Sequence, residues 1–411
     1  MQLSMGNDHG HSPKTRKVRV AIVGSPDLEF YGGTQVTVIH LSGLLQRSGY
    51  EVTVFGSGTF FERAGVKLEE GVQYLKDSFH FDPLSWRAVQ SVTRGVSEPL
   101  IGLLSPRRSY RKIKGFDIYY FTAPKFLFYV FSKYNKERKG VILANHGTYM
   151  EFLSSRKKFV FRSLVKFFDS VFLKYANGEG VIIQTQNYWQ RDHYIERGID
   201  ERKIQVIPLC IVDFSKYNVR KNETFSVLFL NRLSYEKGAH LIPKIANICS
   251  EIDFVVVGDG PLKGAIMGAG TGNVRVTGFI PEKEKIDEIE KCDVMMNLSD
   301  FESLSTSSVE GLASGLLILS RERTSGLEFI SGNVPGAVRF SDGSLENICV
   351  VLREIKREKE RDPAKFFEAK KETRERGASV FDLNVLDKKM LELFSLAEER
   401  VDEESGYENK R

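Results

Sequence analysis

Lys17-Val-Arg-Val-Ala-Ile-Val-Gly24 is a β-branched run closed by a glycine, and together with the next thirty or so residues it decides the architecture. A loop containing Gly32 and Gly33 leads into an apolar-periodic segment over residues 34–46, then Gly49 and a second run, Glu51-Val-Thr-Val-Phe55. A short apolar run bounded by glycine predicts a buried strand, a 3.6-residue apolar period predicts a helix, and the glycine just past it predicts the stop. Strand, helix and strand in this order make a βαβ unit, whose strands run parallel through a right-handed crossover.

Outward from that unit the pattern recurs. Strands are predicted near residues 117–121, 140–145, 180–185 and 203–208, and again near 225–230, 253–258, 273–277, 293–298 and 315–320, with helical patterns between most of the second set. Residues 60–115, broken by Pro83, Pro99 and Pro106, give no clear element. The polar stretch after residue 212 separates two strand-rich series, as a linker between domains does. The expected organisation is a flexible extension over 1–16, a Rossmann-like domain over 17–212, a linker over 213–222 and a second Rossmann-like domain over 223–375. A helical segment over 376–400, a candidate to cross back to the first domain, and a flexible tail over 401–411 complete it. The fold class is α/β, with two doubly wound domains.

Composition agrees with two folded domains. A chain of 411 residues with 41% hydrophobic residues has material for two cores of ordinary size. Cys210, Cys249, Cys292 and Cys349 show no ligand spacing, so neither a disulfide framework nor a zinc site is expected and a reducing compartment fits best. The polar start has no signal-peptide core and the apolar runs are too short for a membrane span, so the expected location is cytoplasmic. The net charge of +5 hides an imbalance, because residues 87–174 carry 18 basic and 5 acidic side chains. Such a density suits an anionic surface, while nothing resembles a nucleic-acid-binding motif.

Ligands of open α/β sheets bind beyond the carboxyl ends of the strands. After the strand near 225–230 stands Asn231-Arg-Leu-Ser-Tyr-Glu-Lys-Gly238, which offers Arg232 and Lys237. A guanidinium and an ammonium there can clamp a diphosphate and neutralise the charge that grows as it leaves. After the strand near 293–298 comes Phe301-Glu-Ser-Leu-Ser-Thr-Ser-Ser-Val-Glu310, in which Ser303, Ser305 and Thr306 suit a helix cap and first turn. Free N–H groups at such a start bind phosphate, and Glu302 and Glu310 can accept hydrogen bonds from sugar and ribose hydroxyls.

These motifs resemble those of the retaining, GT4-type glycosyltransferases, glycosyl transferases group 1, over about residues 17–400. Arg232 and Lys237 match that family's R-L-x-x-x-K-G motif, and Glu302 and Glu310 match its E-x7-E motif. Gly258-Asp-Gly-Pro261, Thr277-Gly-Phe-Ile-Pro281 and Ile204-Gln-Val-Ile-Pro208 also stand where the family has similar segments. The resemblance implies a GT-B fold, two Rossmann-like domains facing a central cleft, with the acceptor held by the first and the nucleotide sugar by the second. It implies that Arg232 and Lys237 hold the diphosphate, that Glu310 holds the ribose and that Glu302 faces the transferred sugar. It places Phe279 and Ile280 beside the base, Ser305 and Thr306 near the phosphates, Gly32 and Gly33 in a glycine-rich loop, and His146 near the donor sugar.

By the same resemblance the reaction is retaining transfer from a nucleotide-diphosphate sugar to an acceptor hydroxyl on a glycan or lipid-linked molecule. No cofactor is expected, and no Asp-x-Asp or histidine cluster calls for a metal. The segment 156–175, with Lys158, Arg162 and Lys166 on one stripe and several phenylalanines, is a candidate for an anionic membrane surface, which would make the protein peripheral on the cytoplasmic face. The alternatives are a nucleotide-sugar epimerase of similar architecture and a non-catalytic nucleotide-sugar-binding protein. A nicotinamide dehydrogenase fits poorly, because Gly24 is followed by Ser-Pro-Asp rather than by G-x-G-x-x-G. The chain departs from the family's usual pattern at Ser303-Leu-Ser305, at Gly315-Leu-Leu317 and at Leu209-Cys-Ile-Val-Asp213, so the sugar stays unnamed.

Overall fold

The computed structural model describes residues 16–23, 33–56, 68–76, 110–122 except 112, 140–144 and 173–408 except 179. Two parallel sheets organise them. The first contains β1 (Arg19–Val23), β2 (Glu51–Gly56), β3 (Gln73–Lys76), β4 (Ile118–Phe121), β5 (Gly140–Ala144), β6 (Val181–Thr185) and β7 (Ile204–Val206), in the order β3-β2-β1-β4-β5-β6-β7. Its pairings are all parallel, with Ile22 opposite Val54 on one side and Tyr120 on the other. Helix α1 (Gly33–Arg47) is the first crossover, and α2 (Tyr188–Ile195) connects β6 to β7.

The second sheet contains β8 (Ser226–Leu230), β9 (Asp253–Val257), β10 (Val274–Gly278), β11 (Val294–Asn297), β12 (Leu317–Ser320) and β13 (Val338–Phe340), in the order β10-β9-β8-β11-β12-β13. It too is parallel throughout. Its helices are α3 (Ile242–Ile248), α4 (Lys263–Gly268), α5 (Glu282–Glu290), α6 (Thr306–Ala313), α7 (Ser325–Asn333) and α8 (Leu345–Arg361). Two more, α9 (Pro363–Phe381) and α10 (Leu383–Glu408), close the described chain. Helices on both faces of a parallel sheet explain why the central strands are continuous apolar runs rather than alternating ones. β4, β5, β6, β11 and β12 are buried at every residue.

Helix starts are set by short polar side chains that satisfy otherwise orphaned N–H groups. Asn187 caps α2, Ser305 caps α6, Thr324 caps α7 and Ser344 caps α8, each accepting from the backbone N–H of the third residue of its helix. Asp362 ends α8 and caps α9, where Pro363 supplies the fixed φ suited to a first helical residue. Beneath β11, Asp293 receives Lys359 Nζ at 2.8 Å and Lys370 Nζ at 3.1 Å, which ties α8 and α9 to the sheet. Burial holds the Lys370 ammonium below its ordinary pKa.

The last helix does not stay with the second sheet. Leu383 N donates to Val212 O at 3.0 Å, and from there α10 runs over the first sheet, where Phe394 stacks on Tyr120 at 5.8 Å and meets Tyr50 edge-on at 6.1 Å. Arg400 donates to the carbonyls of Val181 and Arg202, and His40 of α1 lies 2.6 Å from Asp387. The helix continues to Glu408, into the stretch expected to be a flexible tail.

Two strands and one covalent link were not anticipated from the sequence. β3 lies in the stretch that gave no clear element, and β13 is a three-residue edge strand in which Val338 alone is buried. Cys249 and Cys349 form a disulfide, which corrects the expectation of none. The residue after α3 and the inner face of α8 pack against each other and bring the two Cα atoms to 5.9 Å, although 100 positions separate them. Cysteine spacing carries no trace of such a contact, and it therefore gives no support to a reducing compartment. Cys210 and Cys292 are buried thiols, both held above the ordinary range by burial.

Candidate functional site

In the second sheet the strand order turns back between β8 and β11, so the loops leaving their carboxyl ends diverge around a crevice, the place where doubly wound sheets bind ligands. Those two loops carry Arg232, Lys237 and Glu302. The loop after β8 is drawn against its neighbour, with Asn231 N bonded to Val257 O and Leu233 N to Asp259 O. This approach depends on glycine. A Cβ on Gly258, whose φ is +136°, would stand 2.0 Å from Asn231 O, and one on Gly238, at φ +71°, would stand 2.3 Å from Leu298 O. Arg232 is exposed on this loop.

Lys237 Nζ donates to Glu302 Oε1 at 2.7 Å, and Ser299 Oγ donates to the same oxygen at 2.7 Å. Glu302 is only 8% exposed. Its carboxylate is thus held by a partly buried cation and a hydroxyl, which offset the cost of removing it from water. Asn297 organises the turn beneath it, accepting from Ser299 N at 3.1 Å and donating to Ser305 Oγ at 3.0 Å. Ser305 in turn accepts from Ser308 N and caps α6, leaving the N–H groups of its first turn, Thr306 among them, at the positive end of the helix.

Glu310 sits one turn inside α6 with different partners. Lys285 of α5 donates to its Oε1, and Tyr217, within the expected linker, donates a longer bond of 3.3 Å to the same atom. Burial and the Glu310 charge raise the Tyr217 phenol and, in that order, the adjoining Cys210 thiol. Phe279, directly after β10, is 83% exposed, whereas Ile280 packs against the core. α5 begins just beyond these two residues, so the segment read as facing the base lies on the Lys285–Glu310 side of the site.

The structure therefore gathers the loop with Arg232 and Lys237, Glu302, the α6 start and Glu310 along one sheet edge. Gly33 begins α1, while Gly32, His146 and nearly all of the basic 156–175 segment lie outside the described residues. Sequence reasoning missed Ser299, Asn297, Lys285, Tyr217 and Asn187. Asn187 donates from the end of β6 to Ser303 O at 2.7 Å, so the carboxyl edges of the two sheets meet there. Among the described residues no group of three or more potential ligands could hold a metal ion, and no helix is long and apolar enough to cross a membrane.

Two parallel Rossmann-like sheets, with the chain's last helix returning to the first, define the GT-B class of glycosyltransferase folds. Residues 31–213 match the model of glycosyltransferase family 4 and residues 213–369 that of glycosyl transferases group 1, and the chain belongs to this glycosyltransferase family. The chain is similar in structure to Anabaena HepE in complex with UDP (TM-score 0.67, 16% identity, covering 92% of this chain and 99% of that one). It is similar to sucrose-phosphate synthase from Thermosynechococcus elongatus (0.70, 14%, 92% and 99%). It is also similar to WaaG, a glycosyltransferase involved in lipopolysaccharide biosynthesis (0.62, 14%, 91% and 99%). No curated protein matches it by sequence.

Proposed function

We propose that this glycosyltransferase moves a sugar, with retention of configuration, from a nucleotide diphosphate to an acceptor hydroxyl on a glycan or lipid-linked molecule. The observation that carries the reading is the Lys237–Glu302 pair, 2.7 Å apart at the turning point of the second sheet and directly before the α6 start. A cation there can pass its charge from a carboxylate to a departing diphosphate, and pre-set charge of this kind lowers a barrier without reorganisation during the reaction. In this reading Arg232 joins Lys237 on the diphosphate, Ser305 and Thr306 frame the phosphate end of α6, and Glu310 accepts from the ribose. Glu302 faces the sugar, and Phe279 and Ile280 border the base. Gly32, Gly33 and His146 complete the site from the first domain, with 17–212 as the acceptor side, 213–222 as linker and 223–375 as the donor side.

HepE has been solved with UDP and with UDP-glucose, which makes uridine diphosphate sugars the first donors to try. Thermal shift across a panel of nucleotides and nucleotide sugars tests this, because a ligand of the folded state raises its melting temperature. The expected result is stabilisation by a nucleoside diphosphate and its sugar, followed by diphosphate release once an acceptor is added. Interconversion of the free donor sugar without transfer would indicate an epimerase, and tight binding without turnover a binding protein. With two cations assigned to the diphosphate, turnover should persist in excess chelator. A strict requirement for added magnesium or manganese would break that assignment.

A further inference from the structure

Asn187 has no exposed surface, and both ends of its amide are used. Its Oδ1 accepts from Gln190 N at 2.9 Å and so caps α2. Its Nδ2 donates to Ser303 O at 2.7 Å and, at 3.3 Å, to Ser325 Oγ. The first of these bonds runs from the end of β6, in the first sheet, to the residue directly after Glu302. On its other side the same segment is held by α7, where Gly326 N donates to Glu302 O at 2.9 Å and Ser325 Oγ donates to it at 3.3 Å. The packing has no slack, since a Cβ on Gly326 would lie 2.8 Å from Ser303 C. Beside the clasp the Tyr188 ring meets Phe329 with centroids 5.1 Å apart.

Capping alone does not explain an asparagine here. Serine and aspartate cap helices about as well, and neither deprotonated aspartate nor the shorter serine can put an N–H on the Ser303 carbonyl. The Glu302 carboxylate, by contrast, is held by Lys237 and Ser299, both of the second half. Glu302 thus has its side chain and its own carbonyl held by the second half of the molecule, while the next carbonyl along the chain, Ser303 O, is held by the first.

We infer that Asn187 is a positioning residue of the transfer reaction, its amide N–H registering the first domain against the Glu302 segment so that the carboxylate is in place only when the two halves adopt this arrangement. The inference rests on the proposed role of Glu302 at the transferred sugar. Donor contacts through Arg232, Lys237 and Glu310 lie wholly in the second half, so loss of the clasp acts on turnover and leaves nucleotide binding alone.

Asn187→Asp keeps the shape and the cap but sets an acceptor against the Ser303 carbonyl, and Asn187→Ser keeps the cap and loses the reach. Turnover of the UDP-sugar that the panel selects, read as UDP release, is measured beside UDP binding by calorimetry and the melting temperature. A displaced catalytic group costs up to about a hundredfold in rate. The expected result for Asn187→Asp is a kcat lowered by about tenfold or more, with UDP affinity held within about twofold, and Asn187→Ser should lie between it and the wild type. A wild-type kcat in folded Asn187→Asp overturns the inference, as does an equal loss of kcat and UDP affinity. If Asn187→Asp does not fold, Asn187→Ser is judged by the same two criteria. Glu302→Gln, measured in parallel, keeps the readings apart: near-normal turnover there removes the role of Glu302 itself, whereas an inactive Glu302→Gln beside a normal Asn187→Asp removes only the clasp.

Discussion

Glu302 and Glu310 are the same kind of residue eight positions apart, yet they belong to different mechanical systems. Glu302 stands in the loop before α6 and is bonded to Lys237 and Ser299, with the peptide beyond it clasped from the first sheet. Glu310 stands inside α6 and is bonded to Lys285 of α5 and to Tyr217 in the expected linker. A helix fixes the backbone of Glu310 whatever the two halves do, whereas the loop of Glu302 takes its support from both. The difference teaches that a paired-glutamate motif need not be one functional unit. In the proposed reading one carboxylate responds to the arrangement of the domains, the other to the occupancy of the nucleoside side.

The strongest way to break the contrast is Lys237→Ala. It removes a charge from the proposed leaving-group site and strands a buried carboxylate, so kcat should fall by about 10²–10³-fold and the melting temperature should drop as well. Unchanged kcat would separate the pair from catalysis. Glu310→Gln should act mainly on binding, raising the donor KM by about tenfold through loss of a charged acceptor while kcat changes less. A kcat loss equal to that of Lys237→Ala would merge the two glutamates into one unit. Lys285→Met leaves Glu310 without its cation, and a several-fold weaker nucleotide affinity, about 3–10-fold by titration, is expected from the unpaired carboxylate. Tyr217→Phe removes one long hydrogen bond from Glu310 and should cost about two- to fivefold in donor KM with kcat intact. If it instead altered kcat as strongly as Asn187→Asp, Glu310 would answer to the domain arrangement too.

Much of this was legible in the sequence, for definable reasons. Buried parallel strands such as Ile118–Phe121 and Gly140–Ala144 are continuous apolar runs, and the site motifs follow directly on strand ends, where open sheets bind ligands. Edge strands carry less signal: β13 buries one residue, and Gln73–Lys76 begins with an exposed glutamine. Which lysine of Glu282-Lys-Glu-Lys-Ile-Asp-Glu-Ile-Glu290 faces Glu310 cannot be read from a segment charged almost throughout. Asn187 announces a helix cap, but its second partner lies 116 positions away. The same holds for Cys249 and Cys349, whose pairing depends on how α3 and α8 lie on the second sheet. Local chemistry was readable; contacts between distant elements needed the packing.

Helix α10 gives the molecule a dependence on the order of synthesis. Tyr50 and Tyr120 leave the ribosome early, yet the ring that covers them, Phe394, is made after every strand of both sheets. Domains made first ordinarily fold first. Here the contact of Phe394 with both tyrosines can form only after the second sheet has been translated, so the packing of the first half is completed last.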